Sequence, residues 1–461
     1  MIMKVLTEAD SIIEKILGKQ EYEEGASYRL LSWCAFIYAG EDTLLHNYMT
    51  GKTVYVCDGE YHAENCPLSG FSSGLLKELV SDWFMVPEDT DDVRLLEELR
   101  SAMKLFDNKK GVNSYKILTT TDCNARCFYC YEAGIKKENM SDETAGKTVD
   151  FIEKNKGDGK VTLSWFGGEP MMNTRVMDII CDGLKEKGIE YASVMTSNGY
   201  LFDPDLIKKA VDKWHLKNIQ ITLDGTEDIY NKVKAYKDAD RNPYERVIGN
   251  IEDLAYAGVR VNIRLNMGVD NFEDTMMLID ELVRLFSEDQ NISAYVSGLF
   301  QETEKKDACL KKDLSGKLIA AGKKLAVIGL DRGRIKNLHT RTGGCMADND
   351  DHLGISPSGA LMKCEHHIYD RLAGSLNEGI DVAAADLWKK RMQEGKLCGS
   401  CPVRPVCYRI EGCPVSHPCD ESEQREYILR KESQIIKNHE FINRKGTKNV
   451  DLTEVSGDEI C

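Results

Sequence analysis

Nowhere does the sequence offer the ~18 uncharged apolar residues in a row that a membrane helix needs. Met1 to Gly18 sets Lys4, Glu8, Asp10, Glu14 and Lys15 among its apolar residues, so the unbroken apolar stretch of a secretory signal is missing as well. Both absences lead us to expect a cytoplasmic protein with no membrane partner. Positive charge is in short supply: 60 Lys and Arg stand against 76 Asp and Glu, a net charge of −16. That balance opposes binding to phosphate backbones and anionic surfaces, and leaves nucleic acid out of the expected partners. No internal repeat and no low-complexity tract occurs, which removes repeat architectures.

What remains is a folded globular composition, with 42% hydrophobic and 30% charged residues over 461 positions. That length suits two to four domains. Cysteine is abundant, at sixteen. A disulfide framework fits small secreted domains; in a reducing compartment, clustered cysteines bind metal or do redox chemistry. Ten of the sixteen fall in two groups, 123–130 and 345–419. Cys34, Cys57, Cys66, Cys181, Cys309 and Cys461 are scattered and read mostly as small hydrophobes.

Pattern divides the chain into five spans: 1–108, 109–300, 301–344, 345–440 and a polar tail, 441–461. The first has a leading helix, then apolar segments at 28–38, 44–49 and 54–57 that read as a short antiparallel sheet, then helices at 73–84 and 91–106. From 114 to 300 six strand-like runs alternate with helical stretches, which implies an α/β fold with parallel strands and crossover helices. Six units are fewer than the eight of a closed barrel, so a partial (β/α)6 barrel is expected, with its site at the C-terminal ends of the strands. Residues 301–344 read as a helical bridge, and 345–420 as a Cys-, Gly- and Pro-rich region too poor in apolar runs for an ordinary core.

Cys123, Cys127 and Cys130 follow the first strand of this series, with the aromatic Tyr129 before the last cysteine. A four-iron cluster normally takes four thiolates, so three at short spacing leave one iron open to a ligand. The zinc alternative completes its tetrahedron with a fourth Cys or His close by, and none follows in the next strand–helix unit. This C-x3-C-x2-C run resembles the signature of the radical S-adenosylmethionine (SAM) superfamily. Gly167-Gly168-Glu169-Pro170 after the second strand resembles that family's cofactor-amine motif, with Glu169 as the charged partner. Ser197 and Asn198 end the third strand where the family contacts the ribose, and Arg264 on the fifth strand is the candidate for the cofactor carboxylate. Tyr129 is grouped with these cofactor residues. After Leu223-Asp224-Gly225, Lys232 and Lys234 stand where related peptide-modifying enzymes place an arginine. The resemblance implies S-adenosylmethionine cleaved by one electron from a reduced cluster, giving a 5′-deoxyadenosyl radical that abstracts hydrogen. It also implies a reducing partner of flavodoxin or ferredoxin type.

The second group runs Cys345, Cys364, Cys398, Cys401, Cys407, Cys413, Cys419. It resembles the seven-cysteine SPASM domain of peptide-modifying radical enzymes, although five residues rather than three precede Cys413. A pair of zinc ribbons is the alternative. By family order, Cys398, Cys401, Cys407 and Cys419 hold an outer auxiliary cluster and Cys345, Cys364 and Cys413 an inner one, making three [4Fe-4S] clusters in all. Glu365, next to Cys364, stands where sulfatase-maturing relatives carry a carboxylate base, and is the candidate catalytic residue; an ion-paired glutamate is the plainer reading.

The span 1–108 resembles the winged-helix-like recognition domain of peptide maturases, which binds a leader segment as an added strand. The expected function is therefore a maturase that installs a cross-link, a Cys thioether, in a ribosomally made precursor peptide with a leader. One alternative is a sulfatase-maturase-like dehydrogenase oxidising Cys or Ser to formylglycine; another is a non-catalytic iron–sulfur electron carrier.

Overall fold

The computed structural model describes residues 4–58, 73–106, 111–237, 239, 242–286, 289–299, 308–331, 337–343, 345–392, 395–407, 409–411, 413 and 418–445, with the side chains of 57–58, 308–312 and 444–445 excepted. The polar joint expected at 107–110 and the tail from 446 lie outside them, as do the side chains of Cys57, Cys66, Cys309 and Cys461. The chain divides into two compact units, one of residues 1–108, 333–344 and 391–460, the other of 109–332 and 345–390.

In the first unit, β1 (Val5–Thr7) precedes the leading helix α1 (Ser11–Leu17), which Asp10 caps by accepting from the amides of Ile12 and Ile13. The apolar run 28–38 is two strands rather than one. A turn at Leu31–Trp33 separates β2 (Tyr28–Leu30) from β3 (Cys34–Ala39). With β4 (Asp42–Asn47) and β5 (Thr53–Asp58), β3 forms an antiparallel meander that β1 extends, in the order β1-β5-β4-β3. β2 pairs separately with β6 (Met85–Pro87), between α2 (Ser73–Ser81) and α3 (Asp92–Phe106). Trp33, Leu45, Val54, Phe84, Leu96 and Leu99 form one core of this unit. A second core packs Leu6, Ile37, Leu44 and Tyr48 with Val403, Val406 and Ile435.

The second unit is the expected α/β assembly. β7 (Ser114–Thr120), β8 (Val161–Gly167), β9 (Tyr191–Ser197), β10 (Leu216–Leu223), β11 (Arg260–Met267) and β12 (Ile292–Gly298) run parallel, each pairing with the next. Between them lie α4 (Asp142–Asn155), α5 (Thr174–Glu186), α6 (Pro204–Asp212), α7 (Glu227–Lys234), α8 (Pro243–Tyr256) and α9 (Phe272–Phe286). Local chemistry starts these helices: Ser141, Asp203 and Asn242 cap α4, α6 and α8, and Pro204 and Pro243 fix the first turns of the latter two. Ile117, Leu163, Trp165, Ile219 and Ile263, all fully buried, belong to the core beneath the helices. α10 (Ala308–Ile328) follows.

The sheet does not stop at six strands. β13 (His352–Ile355) pairs parallel with β7, and β14 (Ala360–Met362), β15 (Gly374–Ser375) and β16 (Gly379–Ile380) continue antiparallel, making ten strands. Strands of two to four residues are too short to carry a readable period, and burial comes from the sheet they join. Gly359, at φ +84°, turns the chain between β13 and β14. α11 (Val382–Asp386) follows, and α12 (Glu421–Lys445) carries Ile435 of the first unit. Among the described residues no helix is long and apolar enough to cross a membrane.

Candidate functional site

The C-terminal ends of β7 to β11 converge on one hydrogen-bonded constellation. Cys123, Cys127 and Cys130, all half-buried, sit on the loop after β7. The loop after β8 is pressed against it: the Gly168 amide donates to the Thr120 carbonyl at 3.0 Å, and the Glu169 amide to the Asp122 carbonyl at 2.9 Å. A Cβ on Gly167, at φ +121°, would collide with the Thr120 carbonyl oxygen, and one on Gly168 with that of Asp122. These glycines bring backbone against the cysteine loop.

Glu169 is completely buried. One carboxylate oxygen accepts from the Met171 amide at 3.1 Å and the Ser197 hydroxyl at 2.8 Å; the other accepts from the Asn198 amide at 2.8 Å. Burial pushes its carboxyl up, with those three donors pulling the other way. Glu169 thus ties the second loop to the third. Pro170 is buried behind it and accepts from the Thr119 hydroxyl at 3.1 Å. Asn198 returns to the first loop, its side-chain amide donating to the Asn124 side chain at 2.7 Å and reaching Cys123 Sγ at 3.9 Å. Burial, and then the Glu169 carboxylate, push the Cys123 thiol up to about 12; burial also raises Cys130. Iron bound here would have to displace protons from both.

On the opposite flank, the Tyr129 hydroxyl donates to Asp224 at 2.6 Å, and Asp224 pairs with Lys234 at 2.9 Å, both members of the pair nearly inaccessible. Burial works against the Lys234 cation, but Asp224 and the neighbouring Tyr129, Cys127 and Tyr230 together offset it and hold the ammonium above its usual range. Asn266 donates to Asp224 at 3.1 Å and accepts from the Arg264 guanidinium at 2.9 Å. Arg264 therefore ends a chain that starts at the cysteine loop. Of the two lysines after Asp224, Lys234 is the one that turns inward. The sequence does not give it this partner, because the pairing of Asp224 with Lys234 depends on how an eight-residue helix folds back over the end of β10.

Glu365 faces Lys116, which is buried at 2% exposure; the two are 3.1 Å apart, with the ammonium 4.6 Å from the centre of the Phe166 ring. Burial raises the Glu365 carboxyl, but Lys116, with a backbone hydrogen bond and His366 adding to it, holds it below the ordinary range. Glu132, which the sequence did not single out, is buried beside Cys130 and accepts from the Tyr131 hydroxyl at 3.4 Å; burial pushes it up to about 7. The Tyr131 ring packs against His366 in a tilted arrangement, with centroids 4.3 Å apart.

The second cysteine group divides between the units. Cys345 and Cys364 lie with the parallel sheet; Cys398, Cys401, Cys407, Cys413 and Cys419 lie in the other unit. Four of the latter, Cys398, Cys401, Cys407 and Cys419, line one cavity of about 240 Å³. All described cysteines are free. Thiols are the donors that iron–sulfur clusters take, and Cys398, Cys401, Cys407 and Cys419 in one cavity match in number the four of a cubane.

A family model of the radical SAM superfamily matches residues 117–282. Curated relatives include a probable GTP 3′,8-cyclase of Methanocaldococcus jannaschii, 29% identical over 175 residues (36% of this chain, 55% of the relative). Another, from Methanococcus vannielii, is 30% identical over 155 residues (32% and 48%). The chain spans about half the length of these curated relatives. Among solved structures, anSMEcpe with bound AdoMet shares 14% identity at a TM-score of 0.53, covering 72% of this chain and 99% of that one. The same protein with AdoMet and Cp18Cys peptide gives 16%, 0.53, 72% and 99%. At such identity the likeness is one of fold. Cysteine loop, glycine–glutamate loop and parallel sheet all lie within or next to the matched segment, and residues 117–282 of this chain are a radical SAM superfamily domain.

Proposed function

We propose that this chain is a radical S-adenosylmethionine enzyme that abstracts hydrogen from a ribosomally made precursor peptide and installs a cross-link, a Cys thioether. The observation that carries the reading is the cavity formed by Cys398, Cys401, Cys407 and Cys419, a four-thiol site separate from the loop of Cys123, Cys127 and Cys130. It supports an auxiliary cluster beyond the one that the radical step requires, and so the SPASM reading. Cys345, Cys364 and Cys413 complete the proposed set through their sequence pattern. The anSMEcpe structure that holds AdoMet together with a Cys-named peptide favours a peptide substrate.

When bound, S-adenosylmethionine and a reduced four-iron cluster supply the hydrogen-abstracting radical; the chain supplies orientation and exclusion of water. Cys123, Cys127 and Cys130 hold the first cluster. Tyr129, Ser197, Asn198 and Arg264 border the place for the cofactor, while Glu169 braces two of its loops from below. Glu365 is the candidate proton acceptor for a substrate thiol, kept ionised by Lys116. The edges of the N-terminal sheet, β1 and β3, offer the backbone to which a leader adds as a strand. A flavodoxin- or ferredoxin-type protein delivers the electron.

The test is anaerobic incubation with the peptide encoded beside the gene, a reducing system and S-adenosylmethionine, followed by mass spectrometry. Thioether formation makes one S–C bond at the cost of one S–H and one C–H, so each event removes two hydrogens, and tandem fragmentation separates it from simple oxidation to an aldehyde. The curated relatives favour a second reading, a GTP cyclisation. Radical cleavage driven by GTP and not by the peptide would select it. No cleavage with either would leave the electron carrier.

A further inference from the structure

The loop that carries two of the cavity's thiols also fills a core of the N-terminal sheet. Between Cys401 and Cys407 the chain makes one short 3-10 turn, Arg404–Val406, and the Cys407 amide donates to the Arg404 carbonyl at 3.2 Å. Val403 and Val406 join Leu6, Ile37, Leu44 and Tyr48 in one core, with Val403 wholly buried and Cys401 packed against its side. Val403 lines the cysteine cavity as well, so a single side chain touches both. Tyr427 of α12 does the same, and its hydroxyl donates to the Val406 carbonyl at 3.3 Å. Further along α12, His439 meets Asp42 at 2.8 Å, and Asn443 accepts from the Tyr55 hydroxyl at 3.2 Å. Leu6 belongs to β1 and Ile37 to β3, the two edges of the sheet.

Among the described residues of 391–419, regular structure amounts to two 3-10 turns and one bridge, between Arg391 and Ile410. A segment with so little backbone pairing takes its form from ligation of its thiols and from packing on the sheet. We infer that Val403, Val406 and Tyr427 make the cysteine cavity and the N-terminal sheet one cooperative unit. Metal held by Cys398, Cys401, Cys407 and Cys419 then stabilises the edge strands to which the leader adds. Whatever binds only the ordered form favours that form, and the coupling is reciprocal, so the leader in turn tightens the metal. The chain therefore engages its peptide more tightly once the cavity is loaded. This inference rests on reading the cavity as a cluster site and the sheet as the place of the leader.

Hydrogen exchange by mass spectrometry, with binding of a fluorescently labelled precursor peptide, tests it on the full reconstituted chain. Cys398→Ser with Cys419→Ser removes two ligands, neither of them part of the sheet's core. In that variant the amides of β3 and β4 are expected to exchange faster, and the peptide to bind more weakly, each by about tenfold. Val403→Ala is expected to keep its iron yet lose most of the difference between loaded and chelator-stripped chain. Equal exchange and equal affinity with and without metal would overturn the linkage. If the double variant does not fold, the unmutated chain is titrated with an iron chelator in the presence and absence of the peptide. Metal retained more tightly with the peptide supports the linkage, and an unchanged titration with the peptide bound overturns it. A loaded chain whose exchange slows but which binds no peptide keeps the link between metal and sheet and removes the leader reading. A cavity that takes up no metal removes the cluster reading, and the inference with it.

Discussion

At the scale of single residues, the site depends on two positions without a side chain. Gly167→Ala or Gly168→Ala puts a methyl group into the carbonyl of Thr120 or Asp122 and displaces the loop of Cys123, Cys127 and Cys130. Iron per reconstituted chain is expected to fall by about four, the content of one cubane, with the auxiliary signal retained. Glu169→Gln replaces an acceptor-only group with one that turns an amide toward a donor, either the Asn198 amide or the Ser197 hydroxyl. We expect a loss of ~1–3 kcal/mol, read by anaerobic chemical denaturation, together with weakened binding of S-adenosylmethionine. The sequence disclosed these residue types and their spacing, because a cluster loop and a glycine–glutamate turn are local patterns. It did not disclose that both oxygens of Glu169 are engaged inside the protein, since Ser197 and Asn198 come from another strand.

At the scale of elements, α7 matters more than its length suggests. It delivers Lys234 to Asp224, and its last carbonyl accepts from the Arg126 amide at 2.8 Å, beside Cys127. Lys234→Met leaves Asp224 buried and uncompensated, at a cost of about 3–5 kcal/mol; adding Asp224→Asn recovers part of that loss. Thermal unfolding of the two variants side by side checks the order. The alternation of runs disclosed the six parallel strands and the helical stretches between them, because long buried strands and amphipathic helices have clear periods. α7 and β13 to β16 were not legible. Their burial is conferred by neighbours distant in sequence, as with β13 against β7.

At the scale of the molecule, the first unit is built from both ends of the chain. His46 on β4 shows how this unit answers to pH. It is wholly buried, with Nδ1 2.8 Å from the Thr53 hydroxyl and Nε2 3.0 Å from the Leu338 carbonyl. Burial drives its pKa down from 6.5 to about 3. The unfolded chain therefore takes up a proton that the folded unit refuses. The stability it contributes is intact above pH 6.5 and is lost as pH falls toward 3, at up to ~1.4 kcal/mol per unit. Urea unfolding at pH 7 and pH 5 should reveal this slope, and His46→Gln should flatten it. The same architecture changes what an N-terminal deletion measures. Removing residues 1–105 takes away Arg100 and the apolar partners of Val403, Val406 and Ile435, so auxiliary iron is expected to drop along with any leader dependence. Comparing leader-bearing with leaderless peptide on the intact chain isolates recognition.

The pairing of Asp42 with His439, 2.8 Å apart in space and 397 residues apart along the chain, sets a schedule for biosynthesis. At about 5–20 residues per second, a ribosome needs roughly 20–80 s to make the second partner after the first. For that interval the apolar face of Leu6, Ile37 and Leu44 waits without Ile435. The parallel strands through β12 are all made before Cys398, Cys401, Cys407 and Cys419, so the loop of Cys123, Cys127 and Cys130 has its supporting strands before the cysteine cavity can form.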